Sequence, residues 1–275
     1  MLKLFRDRDG CEIKLIRAST LALYWYCASK AYQQATGTES PPTEATKIGT
    51  RIHNAISVAR PLTNAERELE SVLKSYMIKV DAGKGSTGLS DTENMVYMRP
   101  ITRNGKIVGN VVSHGVDDFR IQEDGVVLTE YKTTNTKQID YYKISTALFQ
   151  VKVYAWILEP FLKTAGYNIK KCEIIYLKRN GEFIQQFDIY NLPVNQFNIL
   201  TGCMRQAGFS EEHYNNSLAL LRNNTFTLEN VESDIERILQ QFNDPSKLIA
   251  PAKFKCYICK GVFKEQCPLQ RNSKN

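Results

Sequence analysis

Asp117, Asp118, Glu130 and Lys132 fall within the segment 115–134, GVDDFRIQEDGVVLTEYKTT, and their types suit hydrolysis of a phosphodiester. That reaction needs charge neutralised at the phosphate and a water made nucleophilic near neutral pH, both of which a bound divalent cation supplies. Carboxylate oxygens are hard ligands that favour magnesium or manganese. A lysine beside them can orient or help deprotonate the water, or stabilise charge on the phosphate; spacing alone does not choose among these roles.

The segment reads as a β-hairpin. Asp124-Gly125 is the turn signal, followed by the β-rich run Val126, Val127, Leu128 and Thr129. If those two residues form the loop, Glu123 faces Val126, Phe119 faces Glu130 and Asp117 faces Lys132. Directly paired strand residues share a sheet face. Asp117, Glu130 and Lys132 therefore converge, while Asp118 and Tyr131 point to the other side. A single bulge reverses that parity and brings in Asp118 instead.

The elements that must hold this hairpin are legible at coarse scale. An apolar stripe through Leu15, Ile16, Leu21, Leu23 and Trp25 predicts a helix over 13–36 that stops at Gly37. A second helix is expected over 43–59, after Pro41-Pro42. A third, capped by Thr63 or Asn64, is expected to reach residue 80 with Leu69, Val72, Leu73, Tyr76 and Met77 buried. The glycine- and serine-rich stretch 81–91 reads as a loop. Strands over 95–101 and 106–113 flank Asn104-Gly105, the hairpin 115–134 follows, and a long helix covers 137–158. A further hairpin, 171–177 with 183–189 around Asn180-Gly181, precedes helices over 193–204 and 228–242. The expected class is α+β with a mostly antiparallel meander in a single domain. Its parts are a helical region over 1–92, a sheet and helix over 93–192, and C-terminal helices with a cysteine cluster over 193–270.

The 275 residues suffice for a substantial core, and 43% hydrophobic with 24% charged residues is ordinary globular composition. A net charge of +7 makes an anionic partner plausible without specifying one. No apolar stretch is long enough to span a bilayer and the start, MLKLFRDRDGCE, lacks a signal-peptide core. A cytosolic protein with no membrane partner is expected. Seven cysteines in such a chain point to metal binding or buried thiols rather than disulfides. Cys11, Cys172 and Cys203 are isolated, and Cys172, in CEIIYLK, suits a small buried side chain. Cys256, Cys259 and Cys267 cluster in KCYICKGVFKEQCP. Three thiolates are one short of the four that tetrahedral zinc or a cubane iron-sulfur cluster usually takes.

Asp117 with Glu130-Tyr131-Lys132 resembles the PD-(D/E)XK nucleases, and V-D-D-F followed by L-T-E-Y-K-T resembles their RecB-like branch. In that branch a helical histidine precedes the acids, as His53 does in I-G-T-R-I-H, and a Q-x-x-x-Y motif follows the lysine, as Gln150 and Tyr154 do. The resemblance implies a central mixed sheet flanked by helices. It implies that His53, Asp117, Glu130 and the Tyr131 backbone carbonyl ligate manganese or magnesium, that Lys132 assists the water, and that Gln150 and Tyr154 support the site or the DNA.

Cys27, in YWYCASKAYQQATG, resembles the single N-terminal cysteine of the CRISPR-associated iron-sulfur exonuclease family, in which three more follow the nuclease core. That family often has proline and arginine after this cysteine, where Ala28 and Ser29 stand in this chain. The resemblance implies a structural 4Fe-4S cluster on Cys27, Cys256, Cys259 and Cys267, with zinc as the rival. It further implies a DNA exonuclease acting on single-stranded ends with 5'-to-3' polarity, alone or with CRISPR adaptation or recombination proteins. The alternative is a catalytically silent nucleic-acid-binding or assembly module, for which Tyr141, Tyr142 and Trp156 are candidate stacking residues. An RNA-directed or duplex-specific endonuclease would use the same metal chemistry.

Overall fold

The computed structural model describes residues 3–6, 12–38, 42–80, 95–123, 125–135, 141–179, 183–188, 228, 231–244, 248 and 267. The described chain begins with β1 (Lys3–Arg6) and β2 (Glu12–Arg17), which pair antiparallel, so residues 13–17 are strand rather than the start of a helix. Tertiary pairing overrides the helical pattern there: β2 also lies parallel to a later strand, with Ile16 opposite Val111. Helix begins at α1 (Ala18–Leu23) and resumes in α2 (Ala28–Ala35), and Gly37 ends it with φ of 103°.

The next two helices start at the expected threonines. Thr43 caps α3 (Glu44–Ala59) by accepting from the Thr46 N–H, and Thr63 with Glu66 makes a capping box on α4 (Asn64–Ser75). In α4 the buried stripe is Glu66, Leu69 and Leu73 at helical spacing, which leaves Val72 40% exposed rather than in the core. Tyr76 and Met77 lie beyond the helix end, and Tyr76 stacks on Phe161 with ring centroids 4.9 Å apart. The short β3 (Ile78–Lys79) follows, so the N-terminal region is not wholly helical. The expected loop 81–91 and helix 193–204 lie outside the described residues, as does the turn at Asn180-Gly181.

Asn104 and Gly105 both take positive φ, 50° and 71°, and join β4 (Met95–Arg103) to β5 (Lys106–Ser113). Then come β6 (Asp118–Gln122), β7 (Gly125–Thr134), α5 (Tyr141–Thr164), β8 (Asn168–Lys178), β9 (Phe183–Asp188) and α6 (Val231–Asn243). The class is α+β, but the described strands form two mixed sheets, ordered β1-β2-β5-β4-β3 and β6-β7-β8-β9. The meander is also interrupted: β7 and β8 run parallel, because α5 carries the chain back to the start of the sheet.

Helix α5 is the centre of the packing. Ile144, Phe149, Val151, Val153, Trp156, Ile157 and Leu162 are all buried, so it is apolar around its circumference rather than along one stripe. It touches β7 and β8 on one side and β4, β5, α1 and α6 elsewhere. It also runs past Leu158, through Pro160. Proline has no N–H, so the Trp156 carbonyl one turn earlier loses its helical donor. Arg99 of β4 donates to that carbonyl instead, lies 4.2 Å from the Trp156 ring centroid and pairs with Glu159 at 3.7 Å. Trp156, 3% exposed, is therefore core and unavailable for stacking on a base. The side chains of Tyr141 and Tyr142 lie outside the described residues.

Replacing Arg99 by methionine keeps much of the packing but removes the donor, leaving a buried carbonyl unmet. The expected loss of stability is about 1 to 3 kcal/mol by urea denaturation; an unchanged midpoint would contradict the donor's role.

Candidate functional site

The site is built at an unequal strand end. Strand β6 pairs with β7 only as far as Asp118 opposite Thr129, while β7 continues to Thr134. Past that point Asp117 substitutes for a strand: its Oδ2 accepts the Tyr131 N–H at 2.8 Å. The N–H and C=O of one strand residue point to the same edge, so the Tyr131 carbonyl faces the side on which Asp117 stands.

The register differs from the expected one. Gln122 pairs with Gly125, and Glu123, with φ of 50°, takes the first loop position, so the turn falls one residue earlier than Asp124-Gly125. Phe119 consequently faces Leu128 rather than Glu130, and Asp117 comes level with Glu130 rather than with Lys132. Moving the loop by one residue shifts every cross-strand partner by two, which preserves the sheet face. Asp117 therefore still groups with Glu130 and Lys132, and Asp118 with Thr129. The approach to Asp117 is set by Gly115, whose φ is 105°, and a Cβ there would sit 3.2 Å from the Tyr97 ring. Ser113 Oγ accepts the Gly115 N–H at 2.9 Å and holds this turn.

Two helices complete the group. Gly49 lets α3 approach β7 closely, since a Cβ there would stand 3.0 Å from Thr133 Oγ1. One turn further on, His53 Nδ1 lies 3.2 Å from Asp117 Oδ1. From α5, Gln150 donates through Nε2 to Glu130 Oε1 at 3.1 Å and to the Tyr154 hydroxyl, while its Oε1 accepts from Lys132 Nζ at 2.9 Å. Lys132 Nζ also donates to Glu130 Oε1 at 2.6 Å. His53 with Asp117, and Glu130 with Lys132, Gln150 and Tyr154, thus form two hydrogen-bonded groups drawn from α3, the turn before β6, β7 and α5, near enough for the Asp117 and His53 charges to act on Glu130.

Asp118 belongs to a different set. Arg60 Nε and Nη2 donate to its two oxygens at 3.2 and 2.8 Å, and Nη1 of the same arginine donates to Glu66 at 2.9 Å. Sequence reading missed Arg60, Glu66 and the Gly49 approach. The Thr63-x-x-Glu66 spacing is the local signal that could have marked Glu66 as part of a cap, but nothing local shows that it also accepts the Ile121 N–H of β6 at 3.2 Å.

Burial dominates the electrostatics. Glu130 is 4% exposed, and desolvation raises its carboxyl to about 7 despite the opposing Lys132 charge, with Asp117 adding to the rise. Burial also pushes the Asp117 carboxyl up, but the His53 hydrogen bond and charge and the Tyr131 N–H outweigh it, and the net shift is downward. The Asp117 hydrogen bond raises His53 against the effect of its own burial. Desolvation, with the nearby Glu130 charge, raises the Tyr154 hydroxyl further above its ordinary range.

Two carboxylates, an imidazole and a backbone carbonyl are donor types that fit a hard divalent cation. Both Asp117 oxygens and Glu130 Oε1 are turned toward protein groups, and among the described residues no three His, Cys, Asp or Glu are gathered closely enough to hold an ion. Of the cysteines, Cys27 caps α2, its Sγ accepting the Lys30 N–H at 3.4 Å, and Cys267 is buried. Cys172 is fully buried on β8, as its context suggests. Cys256 and Cys259 lie outside the described residues, as do Cys11 and Cys203. No described helix is long and apolar enough to cross a membrane.

No family model matches the chain, and no curated protein matches it. Among solved structures, one described as "Crystal structure of SSO0001" aligns at 14% identity with a TM-score of 0.44, over 92% of this chain and 86% of that one. A likeness of that degree assigns neither family nor activity.

The charge shifts set the sign of a pH dependence. Glu130, raised above its ordinary 4.5, takes up its proton in the folded state first, so stability rises as pH falls from about 7 toward 4.5. His53 acts the same way: its contribution is complete below its ordinary 6.5 and is lost as pH rises through the higher folded value. Asp117 opposes them only below its ordinary 3.8. The melting temperature of the chelator-treated protein is expected to rise between pH 8 and pH 5.5, and Glu130→Gln to flatten that slope while raising stability at pH 8. An identical slope in the variant would contradict this account of Glu130.

Proposed function

We propose that the chain is a metal-dependent DNA exonuclease of PD-(D/E)XK type, acting on single-stranded ends and carrying a structural 4Fe-4S cluster. The observation that supports it most is the juxtaposition of the His53–Asp117 pair with the bonded group of Glu130, Lys132, Gln150 and Tyr154, drawn from four separate parts of the chain. Side chains this distant in sequence do not become one partly buried charged group without strong structural demand. His53, Asp117, Glu130 and the Tyr131 carbonyl would hold the cation. A bound manganese or magnesium ion would neutralise charge on the phosphate and make water nucleophilic near neutral pH. Gln150 fixes Lys132 and Glu130 relative to each other, and Tyr154 fixes Gln150. Lys132, whose side chain is 26% exposed, can then orient a water or donate to a phosphate oxygen from a set position.

For the cluster, Cys27, Cys256, Cys259 and Cys267 would be the ligands, joining the first helical region to the C-terminal segment and closing a long chain loop. The 5'-to-3' polarity and the association with CRISPR adaptation or recombination proteins follow the family resemblance. A second reading, a nucleic-acid-binding module without turnover, is favoured by one observation: Glu130 Oε1 already accepts from Lys132 and Gln150, so protein donors take the place of a bound ion at that oxygen.

With manganese or magnesium, the purified protein is expected to degrade end-labelled single-stranded DNA from its 5' end. Lys132→Ala or Asp117→Ala should lower the rate by about 100-fold or more. Intact DNA in the wild type and in Lys132→Ala alike, with binding that survives chelation, would establish the second reading instead. Anaerobically purified protein should be coloured and contain about four irons per chain; a colourless protein with stoichiometric zinc overturns the cluster but spares the nuclease.

A further inference from the structure

Asp117 and Asp118 are adjacent, yet strand alternation sends them to opposite faces, where each holds a different part of α3. Asp117 accepts from His53, while Asp118 takes both bonds of the Arg60 fork at the residue immediately after α3. We propose that Arg60 is the positioning residue for His53: by gripping Asp118 at the first residue of β6, it fixes the end of α3 and so sets where His53 stands beside Asp117. The inference rests on the reading that this site takes a divalent cation only for its consequence on metal affinity. The anchoring itself does not depend on it.

The clasp is more extensive than one ion pair. Arg60 Nη2 also donates to the Phe119 carbonyl at 2.6 Å, and Nη1 donates to Glu66 Oε2 at 2.9 Å. Glu66, 3% exposed, in turn accepts the Thr63 N–H and the Ile121 N–H. The junction of α3 and α4 is therefore tied to β6 at three sites, residues 118, 119 and 121.

Burial along the described part of α3 is modest. Among its described side chains none is fully buried, and Gly49 is its single fully buried described residue. The half-buried Ile48, Ile52 and Ile56 supply a partial apolar stripe, and the polar or close contacts at Gly49, His53 and Arg60 add direction to it. His53 lies between the other two, about two helical turns from Arg60. A planar, two-pronged guanidinium specifies direction as well as distance, which a lysine ammonium does not.

Two variants test this: Arg60→Lys, and Arg60→Ala combined with Asp118→Asn, in which Glu66 keeps the Thr63 and Ile121 N–H donors. Each is compared with wild type and in a His53→Ala background. Hydrogen exchange of α3, measured in chelator with β8 as internal control, and Mn2+ affinity by electron paramagnetic resonance are the readouts. The expected result is faster exchange confined to α3 and its junction, with β8 unchanged. Mn2+ affinity should fall by about 10-fold, as for other residues that orient a ligand. In the His53→Ala background the Arg60 changes should add no further loss. Unchanged α3 exchange in both variants overturns the anchoring, as does an equal loss of Mn2+ affinity with and without His53. A wild type that binds no Mn2+ sinks the cation reading, and α3 exchange then decides the anchoring alone.

Discussion

The rest of the site depends on one constraint, the burial of a carboxyl group on the inner face of a sheet. Glu130 stands on β7 with 4% of its surface exposed, and water cannot solvate it. A charge removed from water is costly unless protein groups replace the solvent. Lys132, two residues along the strand on the same face, supplies a cation, and Gln150 supplies an amide N–H that a lysine could not orient by itself. Tyr154, one turn along α5, fixes that amide. The outcome is a carboxyl poised near neutrality rather than permanently ionised, because desolvation exceeds the Lys132 attraction.

The second determinant is a length mismatch between neighbouring strands. Since β6 ends at Asp118, the following stretch of β7 offers its edge to a side chain, and Asp117 takes the Tyr131 N–H. An equal-length β6 would have paired backbone with backbone and left no place for α3. Instead α3 lies across this edge through Gly49, and the imidazole of His53 reaches the same aspartate. The shorter strand thus makes room for the contact between His53 and Asp117.

Helix α5 connects this local arrangement to the core. By returning the chain from the end of β7 to the start of β8 it makes the two strands parallel, and its all-round burial fixes its rotation against both sheets. That rotation aims Gln150 and Tyr154 at Glu130. The interruption at Pro160 could have bent it, but the Trp156 carbonyl is met by Arg99 from the other sheet, so the helix continues.

Much of this was legible in the residues. Thr43 and Thr63 marked helix starts, Asn104-Gly105 a hairpin and Cys172 a buried thiol, because caps, tight turns and small buried side chains are decided by neighbours in sequence. The same local rule put Asp117 on the face of Glu130 and Lys132. That grouping survived an incorrect turn position, since the one-residue shift of the loop preserves strand parity. Strand β2, the parallel pairing of β7 with β8, the second sheet and the exposure of Val72 were not legible, because each depends on a partner remote in sequence. By itself the sequence determined which groups could share a chemistry and on which side of a strand they lie, as periodicity and side-chain type are local properties. Only the tertiary structure decided that His53 meets Asp117, that Arg60 claims Asp118, and that burial raises Glu130, since distance and desolvation exist only once separate elements have packed.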